Sequence, residues 1–400
     1  MAPVLTIADL KEMHRRHTPK MFFDYADSGS YTEGTYRENE TAFSAIKLRQ
    51  RVARNIDNRS VASTILGKPA TMPVYLAPVG LTGMQWADGE IKAARAAEKF
   101  GVPFTLSTMS ICSIEDVAAH TEKPFWFQLY VMRDRGFAAD LIARAKAAGC
   151  SALVLTLDLQ ILGQRHKDLR NGLSAPPKMT PQVISDLMMH PSWCMKMLGT
   201  KRRQFGNIVG HVKGVDDMSS LSDWTASQFD PTLDWSSIDW VRKHWDGPLI
   251  LKGVGDVDDA RIAADTGADA ITVSNHGGRQ LDGAPASIHM LPEIAEAVGD
   301  KIEIHMDGGI RSGQDVVKAM ALGAHATSIG RAFVHGLGAM GEAGVTRALE
   351  IIRREMDITM ALCGETDINA LGAHNVWGGV PRSAPVVNTD NERALHAVGA

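Results

Sequence analysis

Short apolar, β-branched runs recur along this chain: Val74–Pro78, Pro103–Ser107, Phe125–Tyr130, Ala152–Asp158, Leu249–Val254, Ala270–Asn275, Glu303–Gly308 and Ala326–Gly330. Each is nearly continuous in its apolar character, the pattern of strands covered on both faces. Between them lie segments rich in Ala, Glu, Lys and Arg, such as residues 89–98 and 138–147, whose apolar positions return with helical spacing. Gly101, Gly149, Gly267 and Gly323 fall where those helices must stop before the next strand. Eight strands alternating with helices predict an α/β fold, a closed parallel (β/α)8 barrel of the TIM type. A doubly wound open sheet is the alternative. Residues 1–380 read as one barrel domain and residues 381–400 as a tail.

The fourth connection breaks the rhythm. Residues 159–248 form a long insertion after strand four, far beyond an ordinary crossover. Met188, Met189, Trp193, Met195 and Met197 are followed there by Lys201-Arg202-Arg203. Two readings stand: a lid packed on the barrel rim, or a patch across residues 180–203 for a membrane surface or redox partner.

A barrel places its chemistry at the C-terminal ends of its strands. Ser107, Gln128, Tyr130, Thr156, Asp158, Lys252, Ser274, His276, Asp307 and Arg331 all fall at or just past such ends. The densest stretch is Ser274-Asn275-His276-Gly277-Gly278-Arg279-Gln280-Leu281-Asp282, directly after the run Ala270–Val273. It sets an imidazole and a guanidinium three residues apart beside two glycines. That pairing suits binding a small carboxylate and removing a proton next to it.

The turns Asp307-Gly308-Gly309-Ile310-Arg311 and Gly330-Arg331 follow strands seven and eight, where barrels commonly hold a phosphate on backbone N–H groups. Arg311 and Arg331 add charge. A phosphate beside a redox-capable pocket suggests flavin mononucleotide (FMN), with Lys252 at the pyrimidine edge of the ring and Gln128, Thr156 and the Ala77-Pro78-Val79 turn as further contacts. No Gly-x-Gly-x-x-Gly follows an early strand, which argues against a nicotinamide on a Rossmann fold. A non-redox isomerase or lyase using the same turns for a substrate phosphate stays open on these residues alone.

Bulk properties narrow the class. The net charge of −4 gives nucleic acid no footprint. Four scattered cysteines show no metal spacing and read as free thiols. The N-terminus shows no signal-peptide pattern, and no apolar stretch is long enough to span a bilayer. The expected location is cytoplasmic, or peripheral at the inner face of the cell membrane.

The segment 274–282 resembles the signature of the FMN-dependent α-hydroxy acid dehydrogenases and oxidases, and the resemblance runs from about Pro19 to about Cys363. Leu76–Met84, Phe104–Thr108, Trp126–Val131 and Arg133–Phe137 look most like the respiratory bacterial L-lactate dehydrogenases in that family. The resemblance implies His276 as the base and Asp158 as its partner. Arg279 and Arg165 would clamp the substrate carboxylate, and Tyr25 and Tyr130 would bond the carboxylate and the hydroxyl or keto oxygen. Ser107, Gln128, Thr156, Lys252 and Ser274 would hold the flavin ring and ribityl chain. Asp307, Gly309, Arg311, Gly330 and Arg331, with Gly308, would hold the ribityl end and the phosphate. It also implies a homotetramer.

The implied reaction is oxidation of an L-2-hydroxy acid, L-lactate foremost, to the keto acid, with electrons passing to a quinone or another carrier. An oxidase using oxygen on glycolate or mandelate is the alternative. Hydride transfer and α-proton removal use the same residues. Two departures from the family pattern lie near the substrate's side chain: Leu159-Gln160-Ile161-Leu162 where a proline is usual after Asp158, and Met109 where glycolate oxidases often have Trp.

Overall fold

All eight apolar runs become strands of a single parallel sheet in the computed structural model, which describes residues 3–173, 178–212 and 228–379. Two short strands come first, β1 (Ser63–Ile65) and β2 (Lys68–Ala70), paired as an antiparallel hairpin. The barrel strands follow as β3 (Val74–Leu76), β4 (Thr105–Ser107), β5 (Trp126–Leu129), β6 (Ala152–Thr156), β7 (Leu249–Val254), β8 (Ala270–Val273), β9 (Glu303–Asp307) and β10 (Ala326–Ile329). Their order is β3-β10-β9-β8-β7-β6-β5-β4, and the Leu76–Phe104 bridge joins the two ends. That bridge closes the barrel and removes the open-sheet alternative. Most strands are a residue or two shorter than the apolar runs, as at Asp158 and Asn275, which lie past the ends of their ladders.

The period of two along each strand decides which side chains meet on the axis. Tyr75, Trp126, Ala152, Val154, Ile250, Ala270 and Ala326 form an inner cluster with Ile65 and Ala70 of the hairpin, which plugs the barrel's lower end. Two residues further along the strands come Gln128, Thr156, Lys252 and Ser328, facing the same way one layer higher. The inner core is therefore the floor of whatever lies at the upper end. A larger apolar cluster fills the space between the strands' outer faces and the surrounding helices.

Helix ends follow the glycine reading. Gly101, Gly149, Gly267 and Gly323 all have positive φ, between 73° and 105°. The later Gly336-Leu337-Gly338 lies in the helix Arg331–Met340 and serves packing. A Cβ on Gly336 would overlap the carbonyl of Gly344 in the next helix, Glu342–Cys363, and one on Gly338 would overlap the His14 ring.

The sequence pattern did not foresee the N-terminal helices Ile7–His17, Lys20–Ala26 and Gly34–Ala45, which lie against the barrel rather than within its repeat. Of the long insertion, the described part contains the helices His166–Arg170, Pro181–Met189, Pro191–Leu198 and Ser236–His244. The proposed tail, residues 381–400, lies outside the described residues, as do 174–177 and 213–227 within the insertion. All four cysteines are free.

His14, on the first helix, is fully buried against the helix Arg331–Met340. Its Nδ1 lies 3.1 Å from His335 Nδ1 and its Nε2 2.9 Å from Gln85 Oε1, with Asp27 and Lys11 the nearest charged groups behind His335. Burial drives its pKa from 6.5 down to about 4, against the Gln85 bond and the Asp27 charge, which pull upward. Folding thus favours the neutral ring, and this stability is complete above pH 6.5 and drains away as pH falls towards 4. His335 is displaced the same way, by burial and by His14. Urea unfolding is expected to show a loss on the order of 2 kcal/mol between pH 7 and 4.5 from His14. A His14→Gln variant should flatten that slope.

Candidate active site

The segment after β8 takes an uncommon backbone. His276, Gly277 and Gly278 are successive left-handed residues with φ of 57°, 63° and 72°. Glycine adopts this readily, but an L-residue such as histidine does not. The turn throws the imidazole back towards β6, where His276 Nδ1 lies 2.8 Å from Asp158 Oδ1. Nδ1–H donates to the carboxylate, so Nε2 is left as the open acceptor. Burial pushes the Asp158 carboxyl up, but His276 and then Lys252 outweigh it and hold the group below its ordinary value. Asp158 stays a carboxylate.

Three neighbours brace this turn. Asn275 and Asn39 exchange side-chain amide bonds of 2.9 and 3.0 Å, which tie the segment to the helix Gly34–Ala45. Gln280 donates to the carbonyls of Asp158 (2.7 Å) and Ile161 (2.8 Å) and accepts from Gly163 N (3.0 Å). Asp282 accepts from Thr32 N at 2.9 Å and Thr35 N at 3.0 Å, at the start of the same helix. Gly278 has no room for a side chain, because a Cβ there would overlap the backbone of Tyr36.

Arg279 points into the same space. Its Nη1 donates to the carbonyls of Tyr25 (2.7 Å) and Ser28 (3.2 Å), and its guanidinium stacks 4.8 Å from the Tyr25 ring centre. Among the described residues it forms no ion pair. Burial and the nearby Arg165 push its pKa down, against Tyr25 and Asp168, which pull it up. Arg165 stands 5.7 Å from the same ring and is itself paired with Asp168 at 2.6 Å. Tyr130 completes the group; burial and the Asp158 charge raise its pKa, so it stays a neutral phenol able to donate.

All of these open on one cavity of about 830 Å³, within the usual range for a small-molecule site. Its far wall carries Ala77, Pro78, Val79, Ser107, Lys252, Asp307, Gly308, Gly309, Arg311, Gly330 and Arg331. Lys252 Nζ lies 2.8 Å from both Asp307 Oδ2 and Ser274 Oγ. Burial opposes its charge, but Asp307 and Asp158 restore it and raise the pKa. Gln128 and Thr156 lie beneath the wall: Ser107 Oγ donates to Gln128 Oε1 (3.1 Å), and Gln128 Nε2 donates to Thr156 Oγ1 (3.0 Å).

Two of the expected residues line the cavity and also have partners within the protein. Arg311 is held by Glu40 at 2.7 Å, so its charge is already partnered. Arg331 donates to the carbonyls of Ala26, Gly277 and Ser28, which leaves only two of its five N–H donors for a ligand. Burial, with Arg279 and Arg311 nearby, brings its pKa down to about 10. One residue was missed. Ser328 lines the cavity with its Oγ buried beside the Tyr75 phenol, and the two-residue step above Ala326 would have found it.

Several features fit FMN. Asp307 Oδ1 is buried without a partner among the described residues, Lys252 brings a buried ammonium, and Gly308 and Gly309 (φ 97° and 81°) make a side-chain-free ledge. The helix Arg331–Met340 starts at the cavity wall with its first N–H groups available to an anion. The profile of the family described as FMN-dependent dehydrogenase matches residues 14–378. The chain belongs to this family. Its cofactor is FMN.

Two relatives called L-lactate dehydrogenase are similar over almost their whole length. The one from Caulobacter vibrioides is 45% identical over 382 residues, covering 95% of this chain and 99% of the relative. The one from Pseudomonas aeruginosa is 46% identical over 370 residues, covering 92% and 97%. Among solved structures, the monotopic membrane protein (S)-mandelate dehydrogenase superposes with a TM-score of 0.89 at 34% identity, covering 94% of this chain and 99% of its own. A mandelate oxidase gives 0.80 at 37%, covering 95% and 100%.

The turn offers a direct test. Gly278→Ala forces a Cβ into the Tyr36 backbone at a left-handed position, at a cost of about 3 kcal/mol or more. The expected outcome is weakened FMN retention, read by fluorescence of released flavin after dialysis, alongside a lowered unfolding midpoint.

Proposed function

We propose that this protein oxidises L-lactate to pyruvate, with residues 276 and 279 in the leading roles. The observation that carries this is Arg279, a cation with no ion-pair partner among the described residues, beside an imidazole whose Nε2 is open and whose Nδ1 is fixed by Asp158. Arg279 and Arg165 receive the substrate carboxylate, and the Tyr25 ring between them sets their separation. Tyr130 donates to the substrate's hydroxyl oxygen. His276 Nε2 takes the hydroxyl proton as the carbonyl forms, and Asp158 stabilises the resulting imidazolium. Bound FMN supplies the acceptor for the two electrons released at the α-carbon. Lys252 holds positive charge at the cofactor's site throughout, because Asp307 and Asp158 keep it protonated.

The likeness to the two L-lactate dehydrogenases supports L-lactate as the hydroxy acid. Met109, Tyr130 and Leu159 line the same cavity of about 830 Å³ as His276 and Arg279. Anaerobic mixing of the yellow holoprotein with L-lactate is expected to bleach the flavin band. His276→Gln should keep the flavin but slow bleaching by about 10²–10⁴-fold. Bleaching at the wild-type rate would refute the assignment.

The insertion also supports a peripheral membrane contact. Among the described residues, no helix is long and apolar enough to cross a bilayer. Yet Met188, Met189, Met195 and Leu198 are each about two-thirds or more exposed, on two short helices next to the exposed Lys201 and Arg203. An apolar face with cations at its edge suits the interface of an anionic membrane. Replacing these four apolar residues by Ser is expected to abolish co-sedimentation with anionic vesicles while L-lactate still bleaches the flavin.

A further inference from the structure

One side of the barrel's interior is polar where the rest is apolar. Asp307 and Ser328 line the cavity and are register partners on β9 and β10, and Ser328 is in turn the partner of Tyr75 on β3. The Tyr75 hydroxyl bonds Ser328 and lies 3.3 Å from Thr272 Oγ1 on β8. Thr272 has His305 of β9 as its register partner, and the His305 ring lies 5.3 Å from the Tyr75 ring. His305 Nε2 is 2.9 Å from Glu303 Oε1, and Glu303 also accepts from Leu66 N at the tip of the hairpin β1–β2. Tyr75, Thr272 and His305 are fully buried, whereas the Glu303 side chain is 22% exposed. A column of hydroxyl, imidazole and carboxylate groups therefore runs from the cavity floor to water at the barrel's lower end.

This column is costly to the fold. Burying hydroxyls and an imidazole where aliphatic side chains would pack is unfavourable unless every polar atom is partnered. His305 Nε2–H donates to Glu303, so Nδ1 is the acceptor, and among the described residues it has no partner. Such an open buried acceptor costs about 1–3 kcal/mol. Asp307 Oδ1, at the upper end, is open in the same way. Burial raises the Tyr75 pKa, and Asp307 and Glu303 add to this against the Thr272 and Ser328 bonds, so Tyr75 stays a neutral phenol. It can pass a proton on only by giving one as it takes another. Burial also pushes the Glu303 carboxyl up, but the His305 bond and charge outweigh it and keep a carboxylate at the lower end.

We propose that this column conducts the proton set free at the cofactor down the barrel axis to Glu303 and the solvent below. The inference rests on FMN as the cofactor and holds for any hydroxy acid. Oxidation of a hydroxy acid to the keto acid releases two electrons and two protons. The hydroxyl proton goes to His276. The second leaves the α-carbon with the electron pair and is freed at the cofactor when both electrons pass to a carrier. It travels by way of Asp307 Oδ1 to Ser328, whose own O–H proton moves to Tyr75. The Tyr75 proton moves to Thr272, and that of Thr272 to His305 Nδ1. His305 gives its Nε2 proton to Glu303, which releases it to water. Each hydroxyl loses one proton and gains one, and rotation of the O–H bonds and of the imidazole restores the starting arrangement.

The experiment uses the flavin-loaded protein, reduced photochemically without substrate and mixed with ferricyanide, which takes electrons but no protons. Acidification of a weakly buffered solution is followed with a pH-indicator dye in wild type and in Tyr75→Phe, Thr272→Val and Glu303→Gln. Acidification is expected to slow by about tenfold or more in each variant. Anaerobic bleaching by L-lactate, whose hydroxyl proton leaves through His276, should stay within about twofold of wild type. Azide, a small base that can reach the lower end, should restore acidification in Glu303→Gln but not in Tyr75→Phe, where the break is buried. Acidification at the wild-type rate in Tyr75→Phe or Thr272→Val, an equal slowing of bleaching, or no rescue of Glu303→Gln by azide overturns the proposal. Thr272→Val keeps the side chain's shape and decides the matter if another variant loses its flavin. Failure of L-lactate to bleach the wild-type flavin would instead overturn the proposed function, and the substrate-free acidification would still test the column.

Discussion

Three left-handed residues in succession, 276 to 278, are the constraint around which the site is built. The conformation is intrinsically unfavourable at His276, so it persists only because its surroundings over-determine it. Asn275 supplies one anchor, Gln280 a second and Asp282 a third, each reaching a different part of the chain. With the turn held, the imidazole and the Arg279 guanidinium are fixed relative to each other without a contact between them. The strain at one residue is the cost of aiming two functional groups from one short loop.

Much of the fold was legible because both of its periodicities are physical. Buried parallel strands need continuous apolar runs, and helices around a barrel need one apolar face. What the pattern could not show were the N-terminal helices, whose apolar residues answer to distant partners rather than to a repeat. Tyr25 and Asn39 belong to that group. Nothing in the local sequence around Tyr25 marks it as a wall of the site, and it lies there because Arg279 stacks on it and bonds its carbonyl.

The site itself was readable to the extent that strand ends were readable. His276, Arg279, Lys252 and Asp158 follow from position and residue type together. Arg311 and Arg331 show the limit of that reasoning, since a strand end says where a guanidinium begins but not which carboxylate or carbonyl it meets. Glu40, which holds Arg311, lies 271 residues away in sequence. Ser328 was overlooked for the opposite reason: a serine in an apolar run looks unremarkable until the two-residue step from the inner core is counted.

The reciprocal amide bond between Asn39 and Asn275 joins positions 236 residues apart, and Asp282 meets Thr35 across 247. A ribosome makes the first member of each pair long before the second. The helix Gly34–Ala45 therefore emerges without its partner amide and without the carboxylate at its first turn, and must wait for β8 and the loop that follows. Closure of so distant a pair is slow compared with local helix formation. The chemistry thus becomes possible only near the end of synthesis, when both ends of the barrel exist, and a half-made chain carries the arginine of residue 165 but neither His276 nor Arg279.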